Sequence, residues 1–202
     1  MRKPSSRFEA VIAAIDAANT ADLNIIEIDG RAEPAELVYG RRMTATLGRM
    51  APDASEPLCI AARGQHIERW RIPRKSYPEG RAGYLKWRQD AKEMHAQRLG
   101  AIMAGAGYEP ADIARVGALV RKEKFKLDPE AQLLEDVVCV VFLEHYLSPF
   151  MAKTEPAKLP SILAKTWRKM SEFGHEQARK LDVPPEVLRL LEQGLANTRN
   201  EI

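Results

Sequence analysis

Seven consecutive apolar residues, Val137 to Leu143, lie within a stretch that is otherwise helical in its spacing, and they constrain the fold more than any other feature. A helix that is apolar all round must be covered on every side, so the predicted helix over about 129–147 belongs at the centre of a helical bundle. Seven residues fall far short of the ~20 that a membrane-crossing helix needs. The N-terminal stretch begins with positive charge, but Glu9 and Asp16 interrupt its apolar part. No secretory signal is expected there.

Apolar spacing is helical through most of the remaining chain. Phe8, Val11, Ile12 and Ile15 form a first stripe, and Tyr39, Met43, Leu47 and Met50 a second, after Pro34. Asp53 and Glu56 have the spacing of a capping box, which opens a helix predicted over 57–70. Residues 72–83, with two prolines and two glycines, read as a loop, followed by a long helix over 84–106. Ile113, Val116 and Val120 mark the next helix. Leu163, Trp167, Met170 and Gln177 mark one more, and Val187, Leu191 and Leu195 a last one. Asn19 to Arg31, which contains Asp29-Gly30, reads as loop, and no strand is predicted. The expectation is an all-α chain: a single helical domain over 1–202, forming one compact bundle of seven to eight helices. At 202 residues and 45% hydrophobic, the chain has ample material for one core. Cys59 and Cys139 lack CxxC spacing and read as buried free thiols of a reducing compartment, so the expected location is the cytoplasm.

Polar residues on apolar stripes are where function shows. On the 57–70 helix, His66 aligns with Cys59, Ala62 and Trp70. On the 84–106 helix, His95 aligns with Ala91, Leu99 and Ile102. On the central helix, Asp136 stands among Leu133, Cys139, Val140 and Leu143. A buried carboxylate needs a metal, an arginine or a protonated histidine beside it, because desolvating an unpaired charge costs several kcal/mol, of order ~5. The plain alternative for each residue is a satisfied core hydrogen bond. His145 and His175 read as surface or rim residues.

Arginines also concentrate around the loop. Arg63, Arg69, Arg71, Arg74, Arg81 and Arg88 follow Arg41 and Arg42, with Trp70, Tyr77, Tyr84 and Trp87 interleaved. Guanidinium groups clasp phosphate in two-pronged fashion and aromatic rings stack on bases, whereas the bland reading is a solvated basic face. The net charge of +3 announces no nucleic-acid binder. P-loop, GxGxxG, HExxH and GxSxG signatures are missing.

Three stretches, PAELVYGRRMTATL, AARGQHIERWRIPRKSYPEGRAGYLKWR and LLEDVVCVVFLEHYL followed by KTWRKMS, resemble the family catalogued as domain of unknown function 4202. The order of elements also resembles, at a distance, the HD-domain superfamily of helical metal-dependent phosphohydrolases, with a smaller branch of di-iron oxygenases. On that resemblance Gln65-His66 stands where the paired ligands fall, His95 opens the helix of the additional ligand, and Asp136 matches the final one. Tyr39 replaces the first ligand, so a metal site would have to be rebuilt from Glu36, His66, His95, Glu135 and Asp136. The function this implies is a metal-dependent hydrolase of a phosphorylated small molecule or nucleotide. His66, His95 and Asp136 would hold a divalent metal, Glu135 would act as general base, and Arg41, Arg42, Arg69 or Arg74 would bind the phosphate. The alternatives are a metal-free helical module for an anionic ligand or RNA, and a di-iron oxygenase.

Overall fold

The computed structural model describes residues 5–182 and Val187. Its all-α character is as expected, with nine α-helices among the described residues and one two-stranded hairpin. The described residues gather into two compact units, Met1–Lys124 and Phe125–Ile202.

In the first unit, α1 (Ser6–Thr20) starts where the Ser5 hydroxyl accepts the Phe8 N–H, and it buries Val11 and Ile15. A hairpin follows where the sequence reads as loop: β1 (Ile25–Ile28) pairs antiparallel with β2 (Arg31–Pro34). Asp29 and Gly30 both have positive φ, 50° and 75°. Two such residues make the turn whose twist matches that of the strands. Next comes α2 (Ala35–Met50), then α3 (Glu56–Arg63), capped by the Ser55 hydroxyl on the Leu58 N–H instead of by Asp53. The helix predicted over 57–70 therefore stops at Arg63, and residues 64–68 form a tight turn. Gly64 permits that turn: a Cβ there would lie 2.4 Å from Leu99 Cδ2. Beyond the loop, α4 (Gly80–Gly105) buries Trp87, Ala91, His95, Leu99 and Met103 along one stripe. It packs on α5 (Pro110–Arg121), which also packs on α3.

In the second unit, α6 (Pro129–Val141) begins at Asp128, whose carboxylate accepts the Glu130 and Ala131 N–H groups. One turn of π-helix, Phe142–Tyr146, leads into α7 (Leu147–Ala152). Val137, Val140, Val141 and Leu143 are buried here, as the apolar run required. The predicted helix holding both Leu163 and Gln177 is two helices, α8 (Leu159–Lys169) and α9 (Glu172–Arg179). Ser171 separates them, its hydroxyl capping α9 by accepting the Gly174 N–H at 3.1 Å. Both helices pack on α6. Of the last predicted helix, Val187 alone is described, and it is buried; Leu191 and Leu195 lie outside the described residues. No described helix is long and apolar enough to cross a membrane.

Candidate functional site

Buried polar groups of the first unit lock its chain segments together. Asp22 Oδ1 accepts the backbone and side-chain N–H of Asn24 at 2.9 and 2.7 Å, while Oδ2 accepts the Glu36 N–H at 3.1 Å. Asn19 Oδ1 accepts the Glu68 N–H at 3.0 Å, and its amide donates to the Glu36 carbonyl at 3.4 Å. Asn19 and Asp22 are each only 2% exposed. Between them they fix the start of α2, and so the Glu36 side chain, against the 64–68 turn. The sequence pattern passed over both residues as polar loop.

On this frame His66 stacks on Tyr39, with ring centroids 4.1 Å apart and planes 11° from parallel. His66 occupies the turn after α3 and is half-buried instead of facing fully inward from a helix. Its Nδ1 lies 3.5 Å from Glu36 Oε2, and its Nε2 lies 2.6 Å from Arg69 Nη1. The His95 ring stands 6.0 Å from that of His66. His95 is buried, as its stripe predicted, and its Nδ1 lies 2.7 Å from the Ile67 carbonyl oxygen. A carbonyl only accepts, so Nδ1 carries the proton and Nε2 keeps its lone pair. Arg69 rests on the Trp87 ring, 4.9 Å from its centroid, and the Trp87 indole N–H donates to the Ile72 carbonyl at 2.8 Å.

These surroundings shift three proton affinities. Burial lifts the Glu36 carboxyl to about 7; Arg69 opposes the rise and the Asp22 carboxylate adds to it. Burial likewise lowers His95 to about 3, helped by His66 and opposed by the hydrogen bond to Ile67. Burial, and after it the Arg69 guanidinium, hold His66 well below the usual imidazole value. Both histidines are thus neutral at pH 7, while Glu36 is poised to gain or lose a proton.

The structure brings His66 and His95 together, with Glu36 and Arg69 beside them. Two of the other arginines expected at a phosphate are engaged elsewhere. Arg41 Nη1 lies 2.5 Å from Glu33 Oε2, Arg74 donates to the Tyr77 and Gly80 carbonyls, and Arg42 is half-buried on α2. Glu135 and Asp136 belong to the second unit. There Asp136 Oδ1 accepts from the Ser171 N–H at 2.8 Å and the Gln132 amide at 3.1 Å, and Oδ2 accepts from the Ser171 hydroxyl at 2.5 Å. Glu135 is buried, with Lys169 Nζ 3.6 Å from its Oε1. His175, read as a rim residue, is buried instead: it stacks on Trp167 at 4.1 Å, and its Nε2 lies 2.9 Å from the Trp167 carbonyl oxygen.

Among the described residues, no group of three His, Cys, Asp or Glu side chains is arranged to hold a metal ion. The guanidinium on His66 Nε2 occupies the lone pair that a cation would need. The chain is an all-α protein with a compact acid–base cluster in its first unit. It belongs to the family described as Domain of unknown function (DUF4202), which it matches over residues 9–191. No curated protein and no solved structure shows a significant match to it.

Proposed function

We propose that the first unit binds an anionic small molecule at Arg69 and moves a proton on it through Glu36. The observation that carries this reading is the Glu36 carboxyl, held near neutrality 3.5 Å from His66, which Arg69 contacts in turn. A carboxyl with its pKa near working pH serves both as base and as acid, and a general base or acid contributes roughly 10²–10⁴-fold to a rate. Arg69 is braced on Trp87, and neutral His66 gives it no countercharge, so its guanidinium keeps its full charge for an incoming anion. His66 and His95 stay neutral there, and leave Arg69 as the cation that meets the substrate.

The substrate class we favour is a phosphorylated small molecule or nucleotide, and the reaction is hydrolysis. Two features support it: a guanidinium matches phosphate geometry, and the helix order resembles a superfamily of phosphohydrolases. Glu36, once deprotonated, would take a proton from water as the water oxygen bonds to phosphorus; the phosphorus–oxygen bond to the leaving group breaks, the departing oxygen takes a proton from solvent, and Arg69 holds a phosphoryl oxygen throughout. The sequence tied hydrolysis to a divalent metal and a metal-free chain to binding alone; the Arg69 guanidinium on His66 Nε2 favours hydrolysis without a metal, and no step is routed through one. Two cysteines without CxxC spacing, Cys59 half-buried and Cys139 buried, support a cytoplasmic location.

The test is a screen of the purified chain against nucleotides and phosphorylated metabolites, reading phosphate release and melting temperature with and without added divalent metal. We expect a ligand that raises the melting temperature in wild type but not in Arg69→Ala. Phosphate release should follow a pH profile with a limb near 7 that Glu36→Gln removes. Elemental analysis near one metal per chain, with release only after loading, would favour the metal-dependent form instead. A panel that shifts no melting point and releases no phosphate defeats the proposal.

A further inference from the structure

Residues 71–88 carry six Lys and Arg against a single acid, Glu79, a local charge of +5 in a chain of net +3. The remaining 184 residues sum to −2, although residues 121–126 form a second, shorter basic run of +3, so the loop and the helix that follows it carry more positive charge than the whole chain has net. A merely solvated face mixes the two signs. Here Arg71 pairs with Glu68 and Lys86 with Asp90. Arg74, Lys75, Arg81 and Arg88 have no carboxylate within ion-pair distance among the described residues.

The loop is held in place. Trp87 anchors its start through the Ile72 carbonyl, and the Tyr77 hydroxyl donates to Asp90 Oδ2 at 2.9 Å. Arg74 ties Tyr77 to Gly80 through their carbonyls. On the first turns of α4, Tyr84 is 43% exposed. Its ring lies 5.9 Å from that of Trp87, and the Arg88 guanidinium stands 5.7 Å from its centroid. A half-exposed aromatic ring among basic residues that have no carboxylate partner among the described residues, on a pinned loop, has the components of a stacking platform beside a phosphate track.

We propose that the face formed by residues 71–88 binds single-stranded nucleic acid, with phosphates on Arg81, Lys75 and Arg88 and a base stacked on Tyr84. An anionic membrane would attract the same charges, but insertion adds to that attraction only where a helix presents a broad apolar face, whereas a stacked base accounts for the exposed Tyr84 ring. The first turns of α4 offer Tyr84 and Leu85 with charged residues around them. The proposal stands on charge segregation and on Tyr84, and owes nothing to proton transfer at Glu36, so the two readings fail separately.

Fluorescence anisotropy with a labelled oligouridine and the full chain, over a series of salt concentrations, tests it. Affinity should fall with salt, with a log–log slope of about −0.7 for each phosphate engaged. Lys75→Ala and Arg81→Ala, exposed and free of structural bonds, should each flatten that slope by roughly one phosphate. Tyr84→Ala should weaken binding about tenfold at unchanged slope, and Tyr84→Trp should restore it. Lys165→Ala, on α8, should change nothing. The proposal is overturned by no binding at low salt, by a Lys75→Ala/Arg81→Ala double variant as tight as wild type, or by capture on phosphatidylserine vesicles without oligonucleotide binding.

Discussion

Arg69 Nη1 lies 2.6 Å from Nε2 of His66. Arginine has no lone pair to offer, so the imidazole must be the acceptor and must be neutral. The same Nη1 lies 3.1 Å from Nδ1, so the shorter contact selects Nε2 as acceptor and leaves the proton on Nδ1, with Glu36 Oε2 at 3.5 Å. Stacking on Tyr39 holds the ring in that orientation.

The state of His66 is therefore a prediction. In a nitrogen-detected NMR titration it should remain the neutral Nδ1–H tautomer well below pH 6.5, where an ordinary histidine is half-protonated. Arg69→Gln should move its midpoint upward without returning it to the ordinary value, because burial is the larger cause of the shift and remains. An unshifted midpoint in wild type would break the argument for a neutral pair.

Glu36 and His95 should pull stability in opposite directions with pH. Glu36 has a raised folded pKa, so the fold binds its proton more tightly than the unfolded chain does. Stability from this group is greatest below 4.5 and is lost as pH rises to about 7, a difference of roughly 3 kcal/mol. His95 has a lowered folded pKa, so its contribution is full above 6.5 and is lost as pH falls toward about 3. Between 4.5 and 6.5 the two slopes oppose. Denaturant melts at a series of pH values should show Glu36→Gln removing the loss as pH rises toward 7 and His95→Gln reducing the loss as pH falls, the remainder of which His66 carries. Parallel curves for wild type and both variants would refute the assignment.

Much of this cluster was legible because helical periodicity reports burial directly: His95 shares a stripe with Ala91 and Leu99, and its position follows from spacing alone. His66 was placed on an extrapolated stripe, yet α3 ends at Arg63, because Gly64 lets the chain turn against Leu99. The ring reached the site by a turn whose geometry no periodicity encodes. Asn19 and Asp22 were invisible for a different reason. Their role is to satisfy the backbone of Glu36 and Glu68, and tertiary hydrogen bonding leaves no pattern in composition. Asp29-Gly30 after the alternating Ile26 and Ile28 did carry a hairpin signal, outweighed by the polar residues around it. Likewise the stripe from Leu163 to Gln177 kept its phase across Ser171, which hid the cap between α8 and α9.

Asp136 offers a test in the second unit. Its two carboxylate oxygens take three donors, two of them from Ser171. Asp136→Asn puts an amide N–H against one of those donors and should cost roughly 3 kcal/mol. Ser171→Ala loses a hydroxyl that serves Asp136 and caps α9, and should cost about 2 kcal/mol. Because the two changes remove one shared interaction, the double variant should cost less than their sum, as a double-mutant cycle would measure. Additive effects would mean that the pair acts independently. Hydrogen exchange should place the loosened amides in α6 and α9, and leave His66 and His95 shifts unmoved.

Two glycines in helices should respond to alanine with opposite signs. Gly48 lies within α2, and a Cβ there meets nothing within 4 Å. Relief of backbone entropy then acts alone, and Gly48→Ala should stabilise by about 0.5–1 kcal/mol. Gly174 lies in the first turn of α9, where the same propensity gain applies. A Cβ at that position, however, would lie 2.6 Å from Asp136 Oδ1, closer than two such atoms can approach. Asp136 is only 1% exposed, and its carboxylate is held by Ser171 and Gln132, so it has no free direction in which to retreat. To admit the methyl group, the carboxylate must give up at least one bond to the Ser171 N–H or hydroxyl, or α9 must move off α6. Either adjustment costs about 2–3 kcal/mol, which exceeds the propensity gain, so Gly174→Ala should be destabilising on balance. Denaturant midpoints of the two variants, measured beside wild type, decide it. A stabilised Gly174→Ala would show that α9 does not press its first turn against Asp136.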